Sequence, residues 1–183
     1  FKAITYLPKL IKVFKKGDGN ILNFAKKILQ KNNIKVINSH KYCKHLLLDK
    51  TITKSKPDSI DKKDYKKGKG ILDSLSKYDN AQGVVIDNGY VLAIESAEGT
   101  DDMLKRVKKL RRNKRNNSGI LIKLPKKKHS LQYDLPTIGY KTIQLCIKSN
   151  LKGIYLKKNQ NIFLDQEKSV NLANKNNLFI SAV

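Results

Sequence analysis

The chain has 183 residues, 39% of them hydrophobic and 30% charged, and its 39 basic and 15 acidic side chains leave a net charge of +24. That is long and apolar enough for one large or two small domains with a buried core, which excludes a disordered tail. No run approaches the roughly 18 consecutive apolar residues of a membrane-spanning helix. The charge by itself points to nucleic acid or an anionic membrane surface. However, Arg occurs only at 106, 111, 112 and 115, so the basic residues are nearly all lysine, a diffuse point charge rather than a bidentate reader. An A/T-biased gene that writes Lys, Asn and Ile onto solvated faces accounts for the charge as well. Trp is absent and Phe occurs five times, which leaves no evident base-stacking platform. Cys43 and Cys146 lack CxxC spacing and read as reduced, buried thiols of a cytoplasmic protein. The chain starts at Phe1 without a signal-peptide pattern and reads as a fragment.

In chain order, Leu7, Leu10, Ile11 and Phe14 form a helical stripe that ends in the turn Gly17-Asp18-Gly19. Asn20 is placed to cap a second helix with Ile21, Phe24, Ala25, Ile28 and Leu29 on its apolar face. The β-branched run Ile34–Ile37 predicts a short strand. Thr51 to Pro57 is polar and breaker-bearing, a linker, and a helix is expected over 59–78, charged in its first half and apolar at Ile71, Leu72 and Leu75. Gly83–Ile86 and Tyr90–Ile94 flank Asp87-Asn88-Gly89, a hairpin signal because Asn-Gly accepts positive φ. There follow a helix over 101–112, a strand at 120–123, a helix over 141–150, strands at 154–156 and 162–164, a helix begun by Asp165, and a strand at 178–180. Strands alternating with helices argue an α/β domain with a mixed sheet.

No P-loop, GxGxxG, HExxH, GxSxG or zinc spacing is present, and three histidines exclude a His-rich metal site. The working groups of an enzyme would be carboxylates, lysines and backbone amides. Two polar clusters directly follow apolar strands, where open α/β sheets place ligands. The first runs Glu95-Ser-Ala-Glu98-Gly99-Thr100-Asp101-Asp102: Gly99 frees the backbone, Thr100 or Asp101 caps the next helix, and its first-turn N–H groups suit a phosphate. An ordinary helix cap with acidic first-turn residues would read the same way. The second runs from Lys123 through Lys126, His129 and Tyr133 to Asp134-Leu-Pro-Thr137-Ile-Gly139, with Pro136 and Gly139 bending the chain around Asp134. A carboxylate held there beside Lys123 could bind Mg²⁺ or orient a water, and an Asx-type turn is the alternative.

Together, Glu98-Gly99-Thr100-Asp101, Lys123 and Asp134-Leu-Pro-Thr-Ile-Gly139 resemble the LpxI family of UDP-2,3-diacylglucosamine pyrophosphatases. Gly83–Gly89, Gly153-Ile154, Ile162–Asp165, Leu178–Ile180, Leu7–Leu10, Gly17-Asp18 and Ser39-His40 look similar too, so the likeness covers nearly the whole chain. It implies an α/β fold in which a C-terminal α/β domain with a mixed sheet is preceded by part of a Rossmann-like N-terminal domain. The expected division is 1–50 for that partial domain, 51–80 for a linker and helix, and 81–183 for the catalytic domain. Because the family's Gly-rich strand–turn–helix opening is missing, N-terminal truncation is expected, with a fragment that is poorly stable or inactive.

The implied function is Mg²⁺-dependent hydrolysis of the pyrophosphate of UDP-2,3-diacylglucosamine to UMP and 2,3-diacylglucosamine 1-phosphate in lipid A synthesis, with water attacking the phosphorus nearer the sugar. By the resemblance, Asp134 binds the metal or activates water, and Glu98 and Asp101 are catalytic candidates for the same metal shell. Thr100, Gly99, Lys123, Lys126, Thr137 and Gly139 bind substrate. Where the family loop carries Gln, Asp and Arg, this chain has His129, Ser130 and Gln132. The implied partners are the UDP-sugar lipid, transient contact of a cytoplasmic protein with the inner-membrane surface, and a second copy as homodimer, with no specific nucleic acid. The rival reading is a basic nucleic-acid-binding module carried by the run from Lys105 to Arg115, which would lie along phosphates. That run is also a plain solvated helix tail with favourable charge at a helix C-terminus.

Overall fold

A computed structural model describes residues 18–112, 116–126 and 135–183. Its helices are α1 (Asp18–Lys31), α2 (Ser39–Tyr42), α3 (Ser59–Leu75), α4 (Gly99–Leu110), α5 (Tyr140–Lys148) and α6 (Gln166–Lys175). Its strands are β1 (Gly83–Asp87), β2 (Tyr90–Ile94), β3 (Ile120–Lys123), β4 (Thr137–Ile138), β5 (Gly153–Leu156), β6 (Ile162–Phe163) and β7 (Phe179–Ala182). Five strands form one mixed sheet in the order β2-β1-β3-β5-β7, and β4 and β6 form a separate parallel pair. β1 is antiparallel to β2 and β3, whereas β3, β5 and β7 are parallel. β2, β3, β5 and β7 therefore run the same way, and their carboxyl ends share one edge of the sheet. The mixed α/β class is the one expected from the alternation of elements.

Strands covered on both faces need apolar side chains in both alternating sets, and β1, β3 and β5 are buried at every position. Val84, Ile86, Ile120, Ile122, Tyr155 and Phe179 face Leu72 and its neighbours on α3. Val85, Leu121, Ile154 and Ile180 face the other way, onto Met103, Leu104 and Val107 of α4, Ile143 and Cys146 of α5, and Ala173 of α6. The result is a three-layer α/β/α stack. α3 comes very close to the sheet at Gly68, where a Cβ would sit 2.2 Å from Ile122 Cδ1 and 3.0 Å from Val84 Cγ1. The hairpin turn takes the expected geometry, with φ of 50° at Asn88 and 81° at Gly89. α3 holds that turn from below, since Gly89 N–H donates to Asp64 Oδ1 at 2.8 Å.

Several local expectations give way to tertiary structure. Among the described residues the 34–37 segment joins neither sheet, and Ile34 and Ile37 are 51% and 52% exposed: β-branched content favours extended backbone, but pairing makes a strand. Asp18 and Gly19 are helical rather than a turn, and Asn20 lies inside α1 rather than capping it. The polar 51–57 stretch is strapped along β7 instead of hanging free. Ile52 N–H donates to Ile180 O at 3.2 Å, Ile180 N–H to Thr53 Oγ1 at 2.9 Å, and Thr51 and Ser181 hydroxyls meet at 2.8 Å. With α3 on the sheet as well, residues 51–80 pack as part of the same layers as the strands. Asp165 precedes α6 in a left-handed conformation, φ 50°, without a side-chain cap. Cys146 is buried, whereas Cys43 is partly exposed. The stripe of Leu7, Leu10, Ile11 and Phe14 lies outside the described residues.

Candidate active site

Two apolar strands flank β1, run in the same direction and end in oppositely charged residues. β2 stops at Ile94 and delivers Glu95, and β3 ends on Lys123. Alternation along β3 puts Lys123 on the same face as Leu121, so it projects toward α4 rather than α3. There Lys123 Nζ donates to the hydroxyl of Thr100 in the first turn of α4. Thr100 donates in turn to Glu95 Oε1 at 2.9 Å, and the ammonium lies 3.8 Å from that oxygen. The Lys123 and Glu95 side chains are only 8% and 12% exposed. Burial pulls the Lys123 ammonium below its ordinary range, while the Glu95 and Asp101 carboxylates push it back up. Glu95 Oε2 is fully buried without a hydrogen-bond partner among the described residues.

This network lines an open cleft of about 380 Å³, walled by Glu98, Gly99 and Asp101 from the start of α4, Thr137 and Gly139 beside β4, and Thr142 of α5. A neighbouring cleft of about 350 Å³ shares Glu95 and Gly99 and adds Lys126, which is held by Asp79 O at 2.8 Å and Asp79 Oδ1 at 3.2 Å. Both lie at the sheet edge where the carboxyl ends of β2 and β3 emerge, and the N-terminus of α4 adds the positive end of its dipole. An ammonium, a helix start and neutral hydroxyls suit a phosphorylated ligand.

The chain carries the pattern of a known family at this place. The sequence model of the LpxI C-terminal domain matches residues 49–181, a span that takes in α3, both clefts and all of the five-stranded sheet except Ala182. The chain belongs to the LpxI family. It is 30% identical over 187 aligned positions to the UDP-2,3-diacylglucosamine pyrophosphatase LpxI of Caulobacter vibrioides, an alignment that covers 100% of this chain and 67% of that protein.

The residues singled out from sequence fall into distinct places around the clefts. Asp134, with His129, Ser130 and Gln132, lies outside the described residues. Glu98 and Asp101 both line the larger cleft, but each carboxylate is engaged. Glu98 accepts from Arg106 at 2.6 Å and from the Ser96 hydroxyl, and these hold it down to about 2, the Ser96 bond most strongly. Asp101 pairs with Lys141 at 3.0 Å and accepts from Thr142 Oγ1 at 3.3 Å. Among the described residues no group of three acids, histidines or cysteines could hold a metal ion, so Glu98 and Asp101 do not by themselves form a metal shell. Thr100 does not cap α4 with its side chain, because its hydroxyl is taken by Glu95 and Lys123. Gly99 does use its freedom, with φ of 77° at the first residue of α4. Gly139 does not, since its backbone is extended. Thr137 lies on the cleft wall with its hydroxyl bonded to Leu135 O.

In sequence, Glu95 only opens the first cluster and carries no assigned role, and neither Thr142 nor Asn161 stands out. Asn161 is fully buried, donating to Lys123 O at 3.2 Å and accepting from Lys157 N–H at 2.8 Å, so it ties the ends of β3 and β5 together beneath the cleft. An acid placed directly after an apolar strand was the available signal for Glu95. Part of the rival basic run is engaged within the fold: Lys105 pairs with Asp102, Arg106 with Glu98, and Arg111 is buried against Asp87. No helix among the described residues is long and apolar enough to cross a membrane.

Proposed function

We propose that the protein is a UDP-2,3-diacylglucosamine pyrophosphatase that releases UMP and 2,3-diacylglucosamine 1-phosphate in lipid A synthesis. The observation that carries this reading is the buried Lys123–Thr100–Glu95 network lining a cleft at the strand carboxyl ends of an LpxI-family chain. A pyrophosphate diester bears two negative charges that repel an attacking water, so catalysis needs fixed positive charge at the phosphates and a group that orients the water. Lys123 supplies a cation that is already desolvated, and the α4 N-terminus, opened by Gly99, supplies aligned N–H dipoles. Lys126, fixed by Asp79 in the adjoining cleft, offers a second cation.

Asp134 is assigned the metal-binding or water-activating role, and Mg²⁺ would shield the phosphate oxygens when bound. Glu98 and Asp101 keep Arg106 and Lys141 in place around the cleft, and they would join the metal's surroundings only by exchanging those partners. Residues 1–50 are assigned to a Rossmann-like N-terminal domain. The acylated substrate places the protein at the cytoplasmic face of the inner membrane, where its lysine-rich surface favours anionic lipid.

The test is release of UMP from UDP-2,3-diacylglucosamine by the protein, with and without Mg²⁺. Asp134→Ala is expected to lower turnover by about 100-fold or more, the scale of a lost transition-state contact. Unchanged turnover in that variant removes Asp134 from the mechanism, and full activity in excess EDTA removes the metal.

A further inference from the structure

Glu95 is the least explained charged group in the fold. Its carboxylate is nearly buried, one oxygen accepts from Thr100, and the other is buried without a partner among the described residues. A lone carboxylate oxygen out of water costs free energy and persists only where something compensates. The compensation here is the ammonium of Lys123, itself only 8% exposed. The backbone is shaped for the same contact. Glu95 N–H donates to Gly83 O at 2.9 Å, and its side chain folds back over Gly83, where a Cβ would come within 2.5 Å of Oε2. Only a glycine at the start of β1 leaves room for the carboxylate in this position.

We propose that Glu95 is a positioning residue, which holds the Lys123 ammonium, directly and through Thr100, as the anion-facing cation of the cleft. The proposal deepens the pyrophosphatase reading and rests on it for the identity of the anion, a phosphate or pyrophosphate group. Nothing in it requires Glu95 to touch the ligand. The charged groups placed around Lys123 by the described elements are Glu95 from the end of β2 and Glu98 and Asp101 from α4. Lys141 of α5 answers Asp101, Arg106 answers Glu98, and β4 and α5 otherwise present the neutral Thr137 and Thr142. Glu95 is therefore the carboxylate whose described partners are Lys123 and the threonine that Lys123 itself contacts. Removing its charge leaves burial to act on Lys123 with less opposition, so the lysine loses its proton at lower pH.

Two measurements test this. In protein carrying ¹³Cε-lysine, with the Lys123 resonance identified by its loss in Lys123→Arg, Glu95→Gln is expected to lower the Lys123 titration midpoint by about one pH unit. Gly83→Ala, which displaces the end of the flexible Glu95 side chain, is expected to lower it in the same direction. By calorimetry, inorganic pyrophosphate is expected to bind Glu95→Gln about tenfold more weakly at pH 9, with the loss shrinking at pH 6, because lower pH favours the charged lysine in either form. Adding Lys123→Arg, which stays protonated, is expected to remove that pH dependence. An unmoved Lys123 midpoint in Glu95→Gln overturns the proposal, as does a loss of pyrophosphate binding equal at both pH values. A moved midpoint and pH-dependent binding in a protein that leaves UDP-2,3-diacylglucosamine intact would uphold Glu95 and sink the pyrophosphatase reading instead.

Discussion

Two buried ion pairs sit at opposite ends of the same strands, and they differ in what surrounds them. At one edge Arg111 lies 3.7 Å from Asp87, with side chains 4% and 8% exposed. At the other, Lys123 lies 3.8 Å from Glu95, with side chains 8% and 12% exposed. Burial alone does not separate them. Arg111 also donates to Ser118 O at 2.7 Å and to Ser118 Oγ and Asn150 O at 3.0 Å, while Ser118 Oγ donates to Asp87 at 3.1 Å. Its guanidinium clamps the end of α4, the approach to β3 and the end of α5 with backbone carbonyls as the counterpart. Lys123 has one hydroxyl and one distant carboxylate, beside a cleft. Arg111 keeps a buried Nε without a partner among the described residues, but its other nitrogens end on backbone and Ser118 away from either cleft, which makes it a staple, whereas Lys123 stands beside an opening that a ligand can enter.

That contrast is easiest to break at Arg111. Arg111→Ala removes the cation beside the buried Asp87 carboxylate, leaving it neutral donors such as Ser118 and Asn88, and is expected to cost about 3–5 kcal/mol of unfolding free energy, measured by urea denaturation. Lys123→Ala is expected to cost less stability, because the adjoining cleft lets water reach Glu95, yet to lower turnover by about 100-fold. Equal stability losses with equal activity would erase the distinction between the two pairs.

A smaller effect is expected between the two edges. Gly68→Ala forces a methyl into Ile122 and Val84, and overpacking of this kind costs about 1–3 kcal/mol. Since α3 braces the β-hairpin turn through Asp64 and covers the face opposite the cleft, the loss should appear in thermal unfolding and leave the pH dependence of pyrophosphate binding unchanged. A shift in that pH dependence would mean that the cleft is less insulated from the α3 face than its layers indicate.

A third ion pair, half-exposed at the start of α3, provides the mildest case. Asp58 caps α3 by accepting from Ile60 and Asp61 N–H, and Lys152 bridges Asp58 and Asp61. The Lys152 hydrogen bond, followed by the Asp61 N–H, holds the Asp58 carboxyl down to about 2. A carboxylate whose folded value lies below its ordinary 3.8 adds stability above that ordinary value and loses it as pH falls toward 2. Lys152→Met is therefore expected to lower the unfolding free energy modestly at neutral pH, with the difference closing as pH falls toward 2, followed by circular dichroism in urea. A larger loss at pH 7 than in Arg111→Ala would overturn the ranking of exposed against buried pairs.

Much of the architecture was legible because its causes are local. β1, β3, β5 and β7 are short apolar runs bounded by polar residues, and Asn88-Gly89 demands the turn it makes. The misses have a common origin in distance along the chain. Ile34 and Ile37 have strand chemistry without membership of a sheet, the polar 51–57 stretch gains partners only when β7 arrives at the end of the chain, and the two-residue β4 exists through its pairing with β6. The site divided in the same way. Position after a strand end marked Glu98, Gly99, Thr100, Asp101 and Lys123 as cleft residues, and all five line the larger cleft. Their individual roles did not follow, because a carboxylate with strand-end placement looks the same in sequence whether it is answered by Arg106, by Lys141 or by a buried lysine.

Length, lysine-dominated charge, the alternation of strands and helices and the family likeness were all determined by the sequence itself, since each depends on residue identity and near-neighbour spacing. Which charges are occupied was decided only by the tertiary structure. The +24 surplus suggests a surface free to meet polyanions, yet the fold spends Arg111 on a staple, Arg106 on Glu98 and Lys126 on Asp79. Lys123 is left facing the cleft, because parallel β2 and β3 end at the same edge of the sheet and Gly83 leaves space for Glu95 beside it.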